Sequence, residues 1–225
     1  MRIRSAIACG GFILLCGAVG LSAQMRGMQG WGAPAMSGLW HPVVGSGAVY
    51  DVDRDGNKTT FELDIVGKES MAGKDAVWVE FSFNDSRMGP VFAKSLVGVD
   101  GQQYQTIKTI MQMPGMPPME MPQGQSHPVQ VKDIHQNSTD VGSESVTVPA
   151  GTFTCEHYKT KEGADVWVSE KVVPVGLIKS VEKGETIVLE KTITDAKDKI
   201  VGTPVPFDPM KMMQMMQMMQ NRPPQ

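Results

Sequence analysis

Cysteine is almost missing from this 225-residue chain: of three cysteines, Cys9 and Cys16 fall near the start and only Cys155 lies in the body. A folded part with one cysteine cannot close an internal disulfide, so its stability has to come from an apolar core. Aromatic residues are scarce at 6%. Tyr50, Tyr104 and Tyr158 with four tryptophans do not supply the two aromatic girdles of an outer-membrane barrel, and the chain ends in the polar stretch NRPPQ. The sequence therefore does not read as integral to a membrane. An excess of positive charge is lacking too: 21 Lys and Arg stand against 24 Asp and Glu, too few to form the basic surface that nucleic acid requires. No stretch matches GxSxG, HExxH, a P-loop or GxGxxG entering a helix, the patterns that place a nucleophile, a zinc pair or a phosphate cradle. No enzyme class is indicated.

What is present begins with a targeting segment. Arg2 and Arg4 precede an uncharged apolar run over residues 5–23 that ends in Leu21-Ser22-Ala23, the layout of a secretory signal peptide cleaved after Ala23. The expected location is periplasmic or secreted. A retained membrane anchor is the alternative, because the run approaches the length that spans a bilayer. Neither Cys9 nor Cys16 has the small-residue context of a lipid-modified N-terminus. Without residues 1–23 the chain keeps 19 basic and 24 acidic residues, a net charge of −5. The remaining length suits one domain with a sizeable core.

Residues 24–47 are rich in Gly, Met and Pro and follow neither secondary-structure period, which reads as a mobile linker. A β domain is expected over 48–200 and a methionine-rich tail over 201–225. Within the domain, short apolar alternations separated by turn residues predict strands near 48–53, 59–67, 75–84, 91–98, 103–113, 128–134, 144–149, 152–160, 164–169, 177–182 and 185–195. The clearest alternation puts Val77, Val79, Phe81 and Phe83 on one face and Trp78, Glu80 and Ser82 on the other. The expected fold class is mainly β, an antiparallel sheet with a short C-terminal helix.

Two segments depart from this pattern and hold 12 of the 17 methionines that follow Met1. MQMPGMPPMEMP, residues 111–122, has too much proline for a regular element and reads as a loop. MKMMQMMQMMQ, residues 210–220, follows Asp208 as N-cap and Pro209 at the first helical position, and so predicts a short helix with Lys211, Gln214, Gln217 and Gln220 to one side and methionines on the rest.

Two metal chemistries are possible on paper. DVDRDGNKTTFE places Asp51, Asp53, Asp55 and Glu62 at the oxygen-ligand positions of a calcium loop, with Gly56 at the bend. Yet Lys58 stands where such loops carry an apolar residue, and the flanks read as strands. A β-hairpin turning at Arg54-Asp55-Gly56-Asn57 is the competing reading. Met111, Met113, Met116, Met119 and Met121 offer soft thioethers suited to Cu(I), with His127, His135, Cys155 and His157 as possible helpers. Against this, methionine is an adaptable hydrophobe that suits irregular apolar surfaces. Cys155 and His157 could also imitate a nucleophile and base, but Cys155 beside Phe153 on one strand face reads as a buried small hydrophobe.

The pieces Val148-Pro149-Ala150-Gly151-Thr152-Phe153, Trp167-Val168-Ser169 and Pro174-Val175-Gly176-Leu177-Ile178-Lys179 resemble exported proteins that look like distant members of the LolA/LppX lipoprotein-carrier superfamily. That resemblance implies a strongly curved antiparallel sheet, an incomplete barrel, whose concave apolar face is covered by helices or loops and receives acyl chains. It carries no functional residue over. The expected function is a non-enzymatic binding protein that holds a lipid, lipoprotein or other apolar ligand, with Val77, Val79, Phe81, Phe83, Met111, Met113 and Met116 as lining residues. A Cu(I)- or Ca-binding protein, or an interaction protein of the envelope with a partner not named by the sequence, are the alternatives.

Overall fold

The structure, a computed structural model, describes residues 36–71, 73–85, 89–100, 103–122, 131–136 and 138–220. The expected signal peptide and its cleavage site lie outside the described residues. Fourteen strands are seen, namely β1 (Met36–Gly38), β2 (Gly47–Arg54), β3 (Asn57–Met71), β4 (Lys74–Asp85), β5 (Gly89–Asp100), β6 (Gln103–Gln112), β7 (Met119–Glu120), β8 (Val131–Asp133), β9 (Ser138–Val148), β10 (Gly151–Thr160), β11 (Asp165–Val168), β12 (Leu177–Glu182), β13 (Glu185–Ile193) and β14 (Val205–Pro206). Helix α1 covers Pro209–Gln220. Each of the eleven expected strands has a counterpart, that near 128–134 appearing as β8. The short β1, β7 and β14 are additional.

Twelve strands form one curved sheet in the order β14-β7-β6-β5-β4-β3-β2-β13-β12-β11-β10-β9, and it does not close into a barrel. All its pairings are antiparallel except β14 with β7. Successive strands are neighbours because tight turns join them. Between β2 and β3 the loop is only Asp55 and Gly56, both with positive φ (50° and 84°), the geometry of a type I′ hairpin turn that matches strand twist. Glycine meets that demand without strain, and aspartate tolerates it better than most residues. β3 runs on past the expected end at 67, since a register shift between Ile65 and Gly67 absorbs the break in alternation.

One face of the sheet carries the core. Tyr50, Val52, Phe61, Leu63, Ile65, Val79 and Phe81 pack in one cluster with Val166, Val168, Leu177, Ile187 and Leu189. Fully burying such side chains stabilises by about 1.5–3 kcal/mol each. Tyr50 brings a hydroxyl into this cluster and donates it to the Leu177 carbonyl at 3.3 Å.

Residues 36–47, expected as part of a linker, are packed. Met36 is buried, β1 pairs in parallel with β8, and the Leu39 and His41 amides donate to the Val175 and Pro174 carbonyls, each at 2.8 Å. A segment without periodicity can dock when its backbone groups find acceptors, and such docking leaves no pattern in the sequence.

Candidate functional site

The two methionine-rich segments, about 90 residues apart in sequence, are linked at one margin of the sheet, where β14, just before the second, pairs with β7 in the first. β6 ends in Met111 and Gln112, the chain turns through Met113–Met116 with the Met116 amide donating to the Met113 carbonyl at 3.1 Å, and β7 returns so that Met119 faces Met111. β14 then adds to β7, its Val205 and the following Phe207 donating to the Pro118 and Glu120 carbonyls at 2.9 and 3.1 Å. α1 starts two residues later. As the sequence predicts, Asp208 caps it, with Oδ1 accepting the Met210 and Lys211 amides at 3.0 and 3.2 Å. At 100° per residue Met210, Met213 and Met218 fall within an arc of about 140°, and Met212 lies opposite. The first three are exposed and Met212 is buried. Gln214 and Gln217 share the exposed arc, so that face is mixed rather than purely apolar.

Of the expected lining residues, Phe81, Phe83, Val79 and Met111 lie on one face of the sheet, and Met113 and Met116 lie in the turn after β6. Register places Leu63, Phe81, Ala93, Met111, Met119 and Val205 in a single cross-strand row from β3 to β14. In the neighbouring row Val79 is followed by Ser95 and Thr109, whose hydroxyls hydrogen-bond each other at 3.0 Å. β5 therefore presents small side chains, Ala93 and Ser95, between the bulk of Val79 and Phe81 on one side and Met111 on the other. Val79 and Phe81 are 1% and 5% exposed and belong to the core cluster, while Val77 and Phe83 pack against it half-buried. Met113 is buried, and Met111 and Met116 are half-buried. A cavity of about 80 Å³ lies elsewhere, lined by Met71, Ala76, Gly98 and Ile107 among others. Small-molecule pockets span roughly 300–1,000 Å³, so it does not suit an acyl chain.

The acidic residues of the calcium motif are spread along the β2–β3 hairpin. Asp51 accepts the Thr60 hydroxyl at 2.8 Å, Asp53 accepts the Gly56 amide at 2.9 Å, Asp55 occupies the turn, and Glu62 faces the Lys199 ammonium at 3.2 Å. A calcium loop wraps its oxygens round one point, whereas extended strands hold them apart. Among the described residues no three His, Cys, Asp or Glu side chains converge as a metal-binding group.

Nor do the possible copper helpers reach the methionine margin along the sheet. β10, which carries Cys155 and His157, is eight strands from β6. His157 stacks on Trp167 at 4.4 Å between Asp165 and Glu144, at 3.1 and 3.2 Å. His135 pairs with Asp133 at 3.0 Å, and His127 lies outside the described residues. Burial and the nearby Glu144 push the Cys155 thiol up, away from the thiolate that nucleophilic chemistry requires.

The opposite face of the sheet holds what sequence reading missed. Asp64, Glu80 and Lys94 form a cross-strand row there, and residues 195–204 lie over them. In sequence, Asp64 and Glu80 occupy the polar side of alternating strands and read as solvent-facing. In the structure they are 1% and 0% exposed.

No family model matches the chain, and no curated protein matches it. Among solved structures it is similar to a Bacteroides fragilis protein described as exported with a YmcC-like fold (13% identity, 69% of this chain and 98% of that one, TM-score 0.36). It is also similar to a protein described as a lipoprotein from Parabacteroides distasonis (12% identity, 70% and 99%, TM-score 0.33). A third likeness is to the MucA/MucB complex structure of Pseudomonas aeruginosa (15% identity, 70% and 55%, TM-score 0.37). Among the described residues no helix is long and apolar enough to cross a membrane.

Proposed function

We propose that this chain is an exported, non-enzymatic binding protein that holds a lipid, lipoprotein or other apolar ligand on the apolar face of its curved sheet, at the methionine-rich margin. The observation that carries this reading is the row Phe81, Ala93, Met111, Met119, in which small residues of β5 lie between a rigid aromatic wall and flexible thioether side chains. Unbranched, polarizable methionines adapt to irregular or mobile apolar partners better than branched residues do. Helix α1 ends the same margin and adds exposed methionines. The resemblance to the LolA/LppX carriers points the same way.

The test is organic extraction and mass spectrometry of protein purified from its own compartment, followed by dye-binding measurements on the delipidated chain. Co-purified lipid is expected, and removal of residues 209–225 should weaken its retention and raise hydrophobic dye binding while circular dichroism stays unchanged. A protein that carries no apolar ligand, and whose dye binding ignores this truncation, would overturn the reading.

The direct opposition of Met111 and Met119 supports a second reading, since side chains so paired stand about 4.5–5.5 Å apart at Cβ and can share one soft ion. Cu(I) titration distinguishes it: binding that is lost when both are changed to Leu supports a thioether site, and absence of binding removes it.

A further inference from the structure

Residues 195–204 are without regular structure yet are fastened across the sheet from the start of β2 to the end of β6. The Ala196 amide donates to the Gly45 carbonyl at 2.8 Å, the Lys199 amide to both Glu80 oxygens at 3.2 and 3.3 Å, and Val201 exchanges hydrogen bonds with the Gln112 side chain at 3.0 and 3.2 Å. Lys199 Nζ reaches Asp64 at 2.5 Å, Glu62 at 3.2 Å and Glu80 at 3.7 Å, and Asp198 pairs with Lys94. Ile200 is buried between these anchors.

The charges under this strap do not balance. β3 contributes Glu62 and Asp64, β4 contributes Glu80, β5 contributes Lys94, and the strap contributes Asp198 and Lys199. β2 and β6 add only Gly47 and Ile110 in the same row. The Asp195–Lys197 pair lies largely in solvent and, being itself neutral, offsets nothing. Four carboxyls thus face two ammonium groups. Asp64 Oδ1 is buried with no hydrogen-bond partner among the described residues, pressed so closely on Gly47 that a Cβ there would stand 1.9 Å from it. An ionised oxygen in that position has lost its hydration and gained no donor, which is costly. Two protons would bring the cluster to neutrality.

We propose that residues 195–204 form a proton-dependent clasp, which closes over β3, β4 and β5 with proton uptake by the buried Glu80 and Asp64 and loosens as those protons leave. Titration agrees with the geometry. Burial, against Lys199 and with the help of a hydrogen bond with Asp198, holds Glu80 up at about 7. Asp64 is also raised, burial outweighing its lysine, whereas Lys199, a third exposed, is held above its ordinary value by the two carboxylates. Burial would raise Asp198 as well, but Lys94 and the Ile200 amide outweigh it and keep that group ionised. A carboxyl raised on closing favours the closed form while protonated. The contribution is complete below about pH 4.5 and is lost as pH rises through about 7. Because the strap runs directly into β14 and α1, its release loosens the attachment of the methionine margin. The inference concerns the strap alone and stands whatever the ligand.

Amide hydrogen exchange on the full chain, corrected for intrinsic rates, tests it. From pH 5.5 to 8, Glu80 alone should lower protection of the 199–205 amides about 30-fold if its open-state value is ordinary, while amides in the middle of β3 and β4 keep theirs. Glu80→Gln retains the acceptor for the Lys199 amide and should remove most of this pH dependence. Asp64→Asn should remove part of it, and serves if the first variant does not fold. Lys197→Gln should leave it intact. Strap protection that is independent of pH, that falls in step with β3 and β4, or that keeps its pH dependence in the Glu80 and Asp64 variants would overturn the proposal.

Discussion

Truncating Phe81 to Ala separates two roles that one face of the sheet combines. Its ring is 5% exposed and lies 5.3 Å from Phe61 and 5.6 Å from Phe83, centroid to centroid. Its cross-strand neighbours are Leu63 and Ala93. Removing a buried Phe side chain costs about 3–5 kcal/mol, part of it the roughly 0.5–1.5 kcal/mol per aromatic pair beyond area burial. On the β5 side only a methyl group stands ready to fill the void, so the cost should lie near 4 kcal/mol. In a domain of this size that lowers Tm by roughly 8–16 °C. Urea unfolding followed by circular dichroism measures the loss, and an unchanged slope against denaturant shows that the unfolded state was not altered. Met111→Ala, at a half-buried position on the same row, should cost less than half as much. A Phe81→Ala loss under about 1 kcal/mol, accompanied by a large change in dye binding, would show that this ring faces ligand space rather than filling the core, and the division of the row into wall and seat would fall.

Three further outcomes follow from particular contacts. The stability difference between Glu80→Gln and the parent chain should shift toward the variant by about 3 kcal/mol between pH 4.5 and pH 8, from about 1.36 kcal/mol per unit of the rise to about 7, and a pH-independent difference by denaturation would contradict the burial argument. Gly56→Ala places a Cβ at φ 84° with nothing within 4 Å, so the cost is backbone strain alone, about 1 kcal/mol or somewhat more, readable as a drop in Tm with no change in strand content. Millimolar calcium should leave Tm unchanged and Glu62→Ala should not alter that indifference, because the hairpin spreads the four acidic residues along extended strands; a calcium-dependent rise abolished by Glu62→Ala would restore the calcium reading.

The β architecture was legible because its signals are local. Alternation over Val77, Val79, Phe81 and Phe83, the Asp55-Gly56 turn, and the Asp208-Pro209 entry to α1 each need only a few consecutive residues, and each is present where expected. What was not legible depends on distance. β7 contains two residues held by the nearby β6, and β14, also two residues long, exists only because β7, some 85 residues away, supplies the other half of its ladder. The strap has no period, and its anchors Glu62, Asp64 and Glu80 precede Lys199 by more than a hundred residues. A charged residue on the polar side of an alternating strand is a solvent-facing group until something covers it, so Asp64 and Glu80 gave no sign of burial. One clue was available at Lys199: a lysine followed directly by Ile200 and Val201 in an otherwise aperiodic stretch is a segment that can both pair and bury.

The C-terminal chain has two parts joined by a sheet-edge strand. Residues 195–204 cross the polar face and, on the proposal above, are fixed by charges that respond to protons. α1 follows β14, is capped by Asp208 and buries Met212. The link between them is β14, which holds on to β7 through two backbone hydrogen bonds, Val205 to Pro118 and Phe207 to Glu120. Net contributions of about 1 kcal/mol apiece make that a weak hold on its own. With the clasp released as proposed, those two bonds are the backbone hold left on β14, and a perturbation of Asp64 or Glu80 reaches the C-terminal methionines through the covalent chain.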